Sequence, residues 1–382
     1  MAEVVLDRVT KVHPDGTVAV DDLSLRVADG EVVTLLGPTG CGKTTVLRLT
    51  AGLDAPTSGQ VLIGGEDVGS VPAHERDLGM VFERGALLPF LDSGDNMAFG
   101  LRTRGVPEPE VARRVGAEAR VLRLARFLRR RPGTLSAGQA RRTEIGRATV
   151  RVPRAFLLDE PLTQLDAPER TRLRAELGKL IRGLGVTTLW VTHDQTEAMA
   201  AGDRLGVMRA GRMEQLAPPA EVYARPANSW VVTFMGRAGL LFGRVEEDPA
   251  GPDLVVGTER VGLTGLSQPT LAALTGRRVV AAARAEDVGP AGASAGPGRI
   301  AGVVARVEQH GSETIVACTV GAPAVRVPGE PFPQPEERAT LLARYPVTTR
   351  PPGLGERVEL AMDTTALHWF DPDSGAVLHH GG

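Results

Sequence analysis

From residue 31 the chain reads EVVTLLG, an apolar run of strand length that ends in glycine. A run this short, with no polar alternation, fits a strand buried on both faces. It is followed by KTTVLRLTAGL (43–53), whose apolar residues recur at helical spacing. Two more apolar runs, RAFLLDEP (154–161) and TTLWVTHD (187–194), each end in polar residues. Between them lie arginine-rich stretches of amphipathic helical character. One is RVLRLARFLRRR (120–131), which reads as a helix with a solvated arginine face rather than a nucleic-acid surface. Apolar strands alternating with helices predict an α/β domain around a mainly parallel sheet. In such sheets ligands gather at the carboxyl ends of the strands.

After ARPANSWVVTFMG (224–236) the pattern changes. Helical periodicity fades, and short, partly alternating runs take over: GRVEED, RRVVAAARAEDV, AGVVARVEQHGSETIVACTV and GERVELAMD. Gly/Pro-rich turns such as PAGPD and GPAGASAGPG separate them. This pattern predicts a small all-β domain. The expected division is therefore 1–236 and 237–382, with no internal repeat.

Composition agrees with two or three soluble, globular domains: 382 residues, 42% hydrophobic and 24% charged. A formal net charge of −2 gives no global attraction to nucleic acid or to an anionic membrane. The two cysteines, Cys41 and Cys318, make no disulfide framework and fit a reducing compartment. The start MAEVVLDRVTKV lacks the apolar stretch of a signal peptide, and no run is apolar enough to span a membrane. Any membrane role is expected to come through a partner. Lysine occurs only at Lys11, Lys43 and Lys179, so a retained lysine points to a specific need.

Lys43 lies in GPTGCGKTT (37–45), which fits G-x-x-x-x-G-K-[ST] between a strand and a helix. Gly37, Gly40 and Gly42 allow the backbone to turn its amides onto phosphate oxygens, and the helix N-terminus adds positive potential. Lys43 is placed to reach the β- and γ-phosphates of ATP, and the Thr44 hydroxyl to bind Mg²⁺. AFLLDE (155–160) is a strand ending in two carboxylates. Asp159 suits a Mg²⁺ contact through water, and Glu160 suits a general base for the attacking water.

LSAGQ (135–139), TQLDA (163–167) and VTHDQTEA (191–198) complete a set of five motifs. Together they make residues 1–236 resemble an ATP-binding-cassette (ABC) ATPase. The resemblance implies an α/β P-loop NTPase domain with a helical subdomain, working as a head-to-tail dimer. ATP would lie between one subunit's P-loop (Gly37, Pro38, Thr39, Gly40, Cys41, Gly42, Lys43, Thr44, Thr45) and the other's signature (Ser136, Ala137, Gly138, Gln139). Ser136 and the Gly138 amide would bind the γ-phosphate, Asp166 would link the two sites, and His193 would hold Glu160 and the water in line.

Some positions depart from the family's usual residues. Ala137 replaces a signature glycine. His13, in KVHPDG, stands where an aromatic usually stacks on adenine; a surface histidine is the equal alternative. Cys41 matches relatives, and its place at a helix N-terminus predicts a lowered thiol pKa. Glu83, in GMVFERGALLPF, stands where a glutamine usually contacts Mg²⁺ and the water. Glutamate keeps an oxygen ligand but adds negative charge, which predicts a working but retuned ATPase.

The tail stretches EVYARPANSWVVTFMG, RAEDV (284–288), EQHGSETIVACTV and LHWFDPDSG resemble those of the maltose, trehalose and glycerol-3-phosphate importer ATPases. This implies an OB-like regulatory domain after the cassette and a peripheral place on the cytoplasmic face of the cell membrane. The implied partners are a second copy or a related ATPase subunit, two integral-membrane permeases and, through them, an external solute-binding protein. No nucleic-acid partner is expected. The alternatives are an importer of polyamine, ferric ion, sulfate or molybdate, or a catalytically weak regulatory ATP-binding subunit.

Overall fold

The computed structural model describes residues 2–381 apart from 164, 250, 293–297, 312, 332 and 335. The centre of the turn GPAGASAGPG and Gln164 of TQLDA thus lie outside the described residues. The chain divides into two compact units after Pro219.

The first unit opens with β1 (Val4–Val12) and β2 (Val18–Val27), joined by a turn in which the Gly16 amide donates to the His13 carbonyl. Then come β3 (Val32–Leu36), α1 (Lys43–Ala51), β4 (Ser58–Ile63), β5 (Glu66–Asp67) and β6 (Leu78–Val81). The helices α2 (Ser93–Arg102), α3 (Glu108–Val121) and α4 (Ala137–Thr149) follow. The rest alternates: β7 (Ala155–Asp159), α5 (Ala167–Leu184), β8 (Thr187–Thr192), α6 (Gln195–Ala201), β9 (Arg204–Arg209) and β10 (Arg212–Ala217). The main sheet has the order β10-β9-β3-β8-β7-β6 and is parallel except at β10. The residues of β3, β7 and β8 are all buried, as their unbroken apolar runs require. Each fully buried Leu or Val there contributes about 1.5–3 kcal/mol. A second, antiparallel sheet, β2-β1-β4-β5, was not anticipated from the sequence.

The helix expected over 120–131 does not form. α3 ends at Val121, and Arg123 takes a left-handed φ of 55°. Leu122 and Leu124 are both buried, an i, i+2 pair that one helix face cannot point the same way. The loop then caps α2: the carbonyls of Leu128 and Arg130 accept from the amides of Gly94 and Ser93. Those donors are among the amides a helix leaves unpaired at its start.

α7 (Pro219–Ala224) and α8 (Ser229–Met235) come next. The division after Pro219 lies ahead of the one expected near residue 236, because α8 packs with the C-terminal strands. Its Val232 shares a buried cluster with Leu240, Val280, Ala282 and Phe370. The second unit continues with β11 (Ala238–Asp248), β12 (Gly251–Val256), β13 (Glu259–Gly262), α9 (Gln268–Leu274), β14 (Arg278–Arg284), β15 (Val288–Pro290) and β16 (Gly298–His310). It ends with β17 (Glu313–Pro323), β18 (Arg338–Pro346), β19 (Arg357–Met362), β20 (His368–Phe370) and β21 (Val377–His379). Two antiparallel sheets, β13-β12-β11-β14-β20-β21 and β15-β19-β16-β17-β18, enclose a common apolar core that includes Trp369, Leu341 and Val279. Apart from its short helices the unit is antiparallel β, which fits an OB-like domain.

Candidate functional site

β3, β6, β7 and β8 run parallel, so the residues after Leu36, Val81, Asp159 and Thr192 emerge at one edge of the sheet. That edge gathers the P-loop, Glu83, Glu160 and His193. After Leu36 the chain wraps through Gly40 (φ 81°) and Gly42 (φ 104°) into α1. A Cβ on Gly42 would lie 2.2 Å from the Ala19 carbonyl oxygen, and one on Gly37 would lie 2.3 Å from that of Met208. Lys43 is 5% exposed, and its Nζ donates to the carbonyls of Gly37 (2.7 Å) and Pro38 (3.0 Å). The expectation for Cys41 is corrected: burial pushes its thiol pKa up, outweighing the nearby Lys43 charge. At 4% exposure the thiol is neither accessible nor activated by its helix terminus.

Thr44 Oγ1 donates to Asp159 Oδ1 at 3.0 Å. The Asp159 carboxyl is held above its usual range, first by burial and then by the charges of Glu160 and Glu83. The Thr44 bond and Lys43 oppose that shift. A buried carboxylate beside a hydroxyl is an oxygen donor set suited to a hard cation, whose charge would relieve this crowding. Glu160 has a left-handed φ of 43°, and its amide donates to the Val191 carbonyl at 3.0 Å. Its Oε2 accepts from Thr163 Oγ1 (3.0 Å) and lies 2.7 Å from His193 Nδ1. Glu160 is thereby oriented by two side chains, as a positioned base requires.

A cleft of about 310 Å³ opens here, lined by His13, Thr17, Val18, Ala19, Thr39, Gly40, Gly42, Lys43, Thr44, Thr45, Glu83 and Glu160. Larger open clefts, of about 610 and 830 Å³, lie in the second unit. Neither combines a glycine loop, a lysine and carboxylates, so the chemistry points to the smaller one. Ser136, Ala137, Gly138, Gln139 and Asp166 do not line it. Ser136 instead caps α4: its Oγ accepts from the Gln139 amide, while Gln139 Oε1 accepts from the Ser136 amide. Ser136 and Ala137 are exposed, and Gly138 is buried against the Glu169 carboxylate. Asp166 caps α5 by accepting from the Glu169 amide at 2.8 Å.

The sequence reading missed a buried charged face on α4. Arg141 is 7% exposed and its guanidinium reaches four acceptors: the carbonyls of Phe82 (2.5 Å), Glu160 (2.9 Å) and Pro161, and Glu144 Oε2 (2.7 Å). The available signal was that AGQARRTEIGRAT has too few apolar residues for a helix that nonetheless must pack.

Glu197, on α6 just beyond His193, is 3% exposed and accepts from Trp190 Nε1 at 2.5 Å. Burial pushes its pKa up to about 7 from the usual carboxylate value. A raised folded-state pKa means stability that is present below pH 4.5 and lost as pH rises through about 7. Glu197→Gln keeps the acceptor without the charge. It should match wild type near pH 4.5 and be more stable above pH 7 by about 2–3 kcal/mol, as read by urea denaturation across pH. Equal stability at both pH values would refute the buried-charge account.

An ABC transporter family model matches residues 20–163. The trehalose import ATP-binding protein SugC of Mycobacterium tuberculosis is 41% identical, with 99% of this chain and 98% of that protein covered. The trehalose/maltose import ATP-binding protein MalK of Thermococcus litoralis is also 41% identical, over 99% and 100%. An sn-glycerol-3-phosphate import ATP-binding protein, UgpC of Rhodopseudomonas palustris, is 49% identical over 62% of this chain and 65% of its own length. Among solved structures, a dimeric post-hydrolysis state of the ATP-binding cassette MJ0796, bound to ADP and Pi, superposes with a TM-score of 0.52 at 30% identity. That match covers 56% of this chain and 98% of that one. With the P-loop, the paired strand-end carboxylates and full-length likeness to importer ATP-binding proteins all in place, this chain belongs to the ABC transporter family and is one of its ATP-hydrolysing subunits.

Proposed function

We propose that this chain powers a sugar or sugar-like solute importer from the cytoplasmic face of the membrane, bound to two integral-membrane permeases that receive solute from an external binding protein. Its partner ATPase is a second copy or a close relative. The likeness to trehalose and maltose importer proteins, which runs through the all-β unit as well as the cassette, carries this reading. Reconstitution with a pair of permease subunits and a solute-binding protein tests it: ATP-dependent uptake is expected for a disaccharide or glycerol-3-phosphate. Uptake of spermidine, ferric ion, sulfate or molybdate instead would overturn the sugar assignment.

In the proposed site, P-loop amides and Lys43 hold the phosphates, and His13 packs against the adenine. Thr44, Asp159 and the Glu83 oxygen would hold Mg²⁺, which supplies charge neutralisation at the phosphates when bound. Glu160 takes a proton from water as the water oxygen bonds the γ-phosphorus and the bond to the ADP oxygen breaks. His193 keeps the Glu160 carboxylate aimed, a positioning effect. Ser136, Ala137, Gly138 and Gln139 serve the ATP of the opposite subunit, and Asp166 lies between the two sites.

The charge of Glu83, which helps hold the Asp159 carboxyl above its usual range, supports a retuned turnover. Two like charges 4 Å apart cost about 4 kcal/mol at an effective dielectric of about 20. Glu83→Gln takes one negative charge away from Asp159, and a barrier lowered by only about 1.4 kcal/mol, well under that figure, is worth about tenfold in rate. The variant should therefore turn over ATP about three- to tenfold faster and need more Mg²⁺ for half-maximal rate. A Mg²⁺ titration of steady-state ATPase decides it; unchanged rate and Mg²⁺ dependence would sink the idea. The same charge supports the second reading, a weak regulatory subunit. That reading requires negligible multiple turnover with the permeases present.

A further inference from the structure

We infer that Arg141 is a positioning residue that ties the Glu83 loop to the strand end carrying Glu160, with Glu144 as its buried counter-ion. The inference rests on the site proposed above. The guanidinium donates to the Phe82 carbonyl, one residue before Glu83, at 2.5 Å, and to the carbonyl of Glu160 itself at 2.9 Å. It also donates to the Pro161 carbonyl. One rigid, planar group thus sets the spacing of the backbones that carry both carboxylates, without entering the cleft.

The same helix face holds the loop further along. Glu144, 7% exposed, accepts from the Ala86 amide at 3.2 Å while pairing with Arg141 at 2.7 Å. Arg147 Nη1 donates to the Ala86 carbonyl at 2.6 Å. A Cβ on Gly85 would sit 2.6 Å from Glu144 Oε1, so loop and helix meet at backbone distance. A charge pair buried this deeply is costly unless every donor is used, and the Arg141 donors go to loop and strand-end carbonyls. Because Ser136 caps α4 and the signature runs into its first turn, a shift of that helix moves the backbone of both Glu83 and Glu160. Arg141 would then carry that shift to the reacting centre.

The test uses the full chain and two variants. Arg141→Met with Glu144→Met removes both charges together, so neither is left buried alone. Arg141→Lys keeps the charge but not the fork. In the double variant we expect a melting temperature within a few degrees of wild type, a fluorescent ATP analogue bound within threefold, and kcat at least tenfold lower. Hydrogen exchange at the Ala86 amide should quicken. Arg141→Lys should show the same split at about threefold in kcat, and it decides the matter if the double variant does not fold. Wild-type kcat in a folded variant would overturn the inference alone. So would a parallel fall of kcat, nucleotide affinity and melting temperature, which marks a merely structural role. A wild-type chain with no turnover would overturn the proposed site itself.

Discussion

Glu160→Gln is expected to bind ATP within threefold of wild type and to hydrolyse it at least a hundredfold more slowly. Glutamine matches the size of glutamate and keeps an oxygen to accept from Thr163 Oγ1, which lies 3.0 Å from the present carboxylate. What it loses is the ability to take the water's proton, and a positioned base contributes about 10²–10⁴-fold. The lost charge also removes one of the groups that hold the Asp159 carboxyl above its usual range, so metal binding should not suffer. Two measurements check this: steady-state phosphate release, and gel filtration with ATP and Mg²⁺, where the slow variant should accumulate as a dimer. Turnover within tenfold of wild type would remove Glu160 from the role of base. Attention would then shift to another acceptor in the cleft, with Glu83 first.

Gly42→Ala should be the most damaging of the conservative P-loop changes. Its φ of 104° is one that L side chains rarely adopt, and its added Cβ would lie 2.2 Å from the Ala19 carbonyl oxygen. The left-handed backbone costs about 1–2 kcal/mol and overpacking about 1–3 kcal/mol more. Relief requires either β2 or the start of α1 to move, and Ala19 lines the same cleft as Lys43 and Thr44. Nucleotide affinity should fall at least a hundredfold, with a lower melting temperature. Gly40→Ala is the control. Its φ of 81° brings similar strain, but nothing lies within 4 Å of the new Cβ. It should lose distinctly less affinity. Equal losses in the two would mean that backbone strain, not the Ala19 contact, is responsible.

The parts of the site that were legible in the sequence are local. A strand, a glycine turn and a helix stand side by side in EVVTLLGPTGCGKTT, and the carboxylates Asp159 and Glu160 directly follow their own apolar run. Parallel strands then bring such ends to one edge whatever the loops do. Properties set by distant neighbours were not legible. Cys41 sits at a helix start, which alone would lower its pKa, yet burial reverses the sign. Arg141 and Glu144 look like a solvated charged face, because only the loop at 82–86 and the turn at 160–161 turn that face into an interior. The stretch 120–131 has helical spacing in its arginines, but Leu122 and Leu124 both answer to the core. The sheet formed by β1, β2, β4 and β5 depends on pairings such as Val4 with Ile63, which no window of local sequence contains.

The left-handed backbone at Glu160 bears on how such a chain can drift over time. Glycine, asparagine or aspartate would sit there with less strain, and the difference for a glutamate is about 1–2 kcal/mol. Random change filtered only for folding would therefore tend to erase the glutamate, since most chains sit just above the stability they need. A lineage that only had to bind nucleotide would lose it early. If Glu160 is the proposed base, its presence in a position that folding alone disfavours is what selection for hydrolysis would leave.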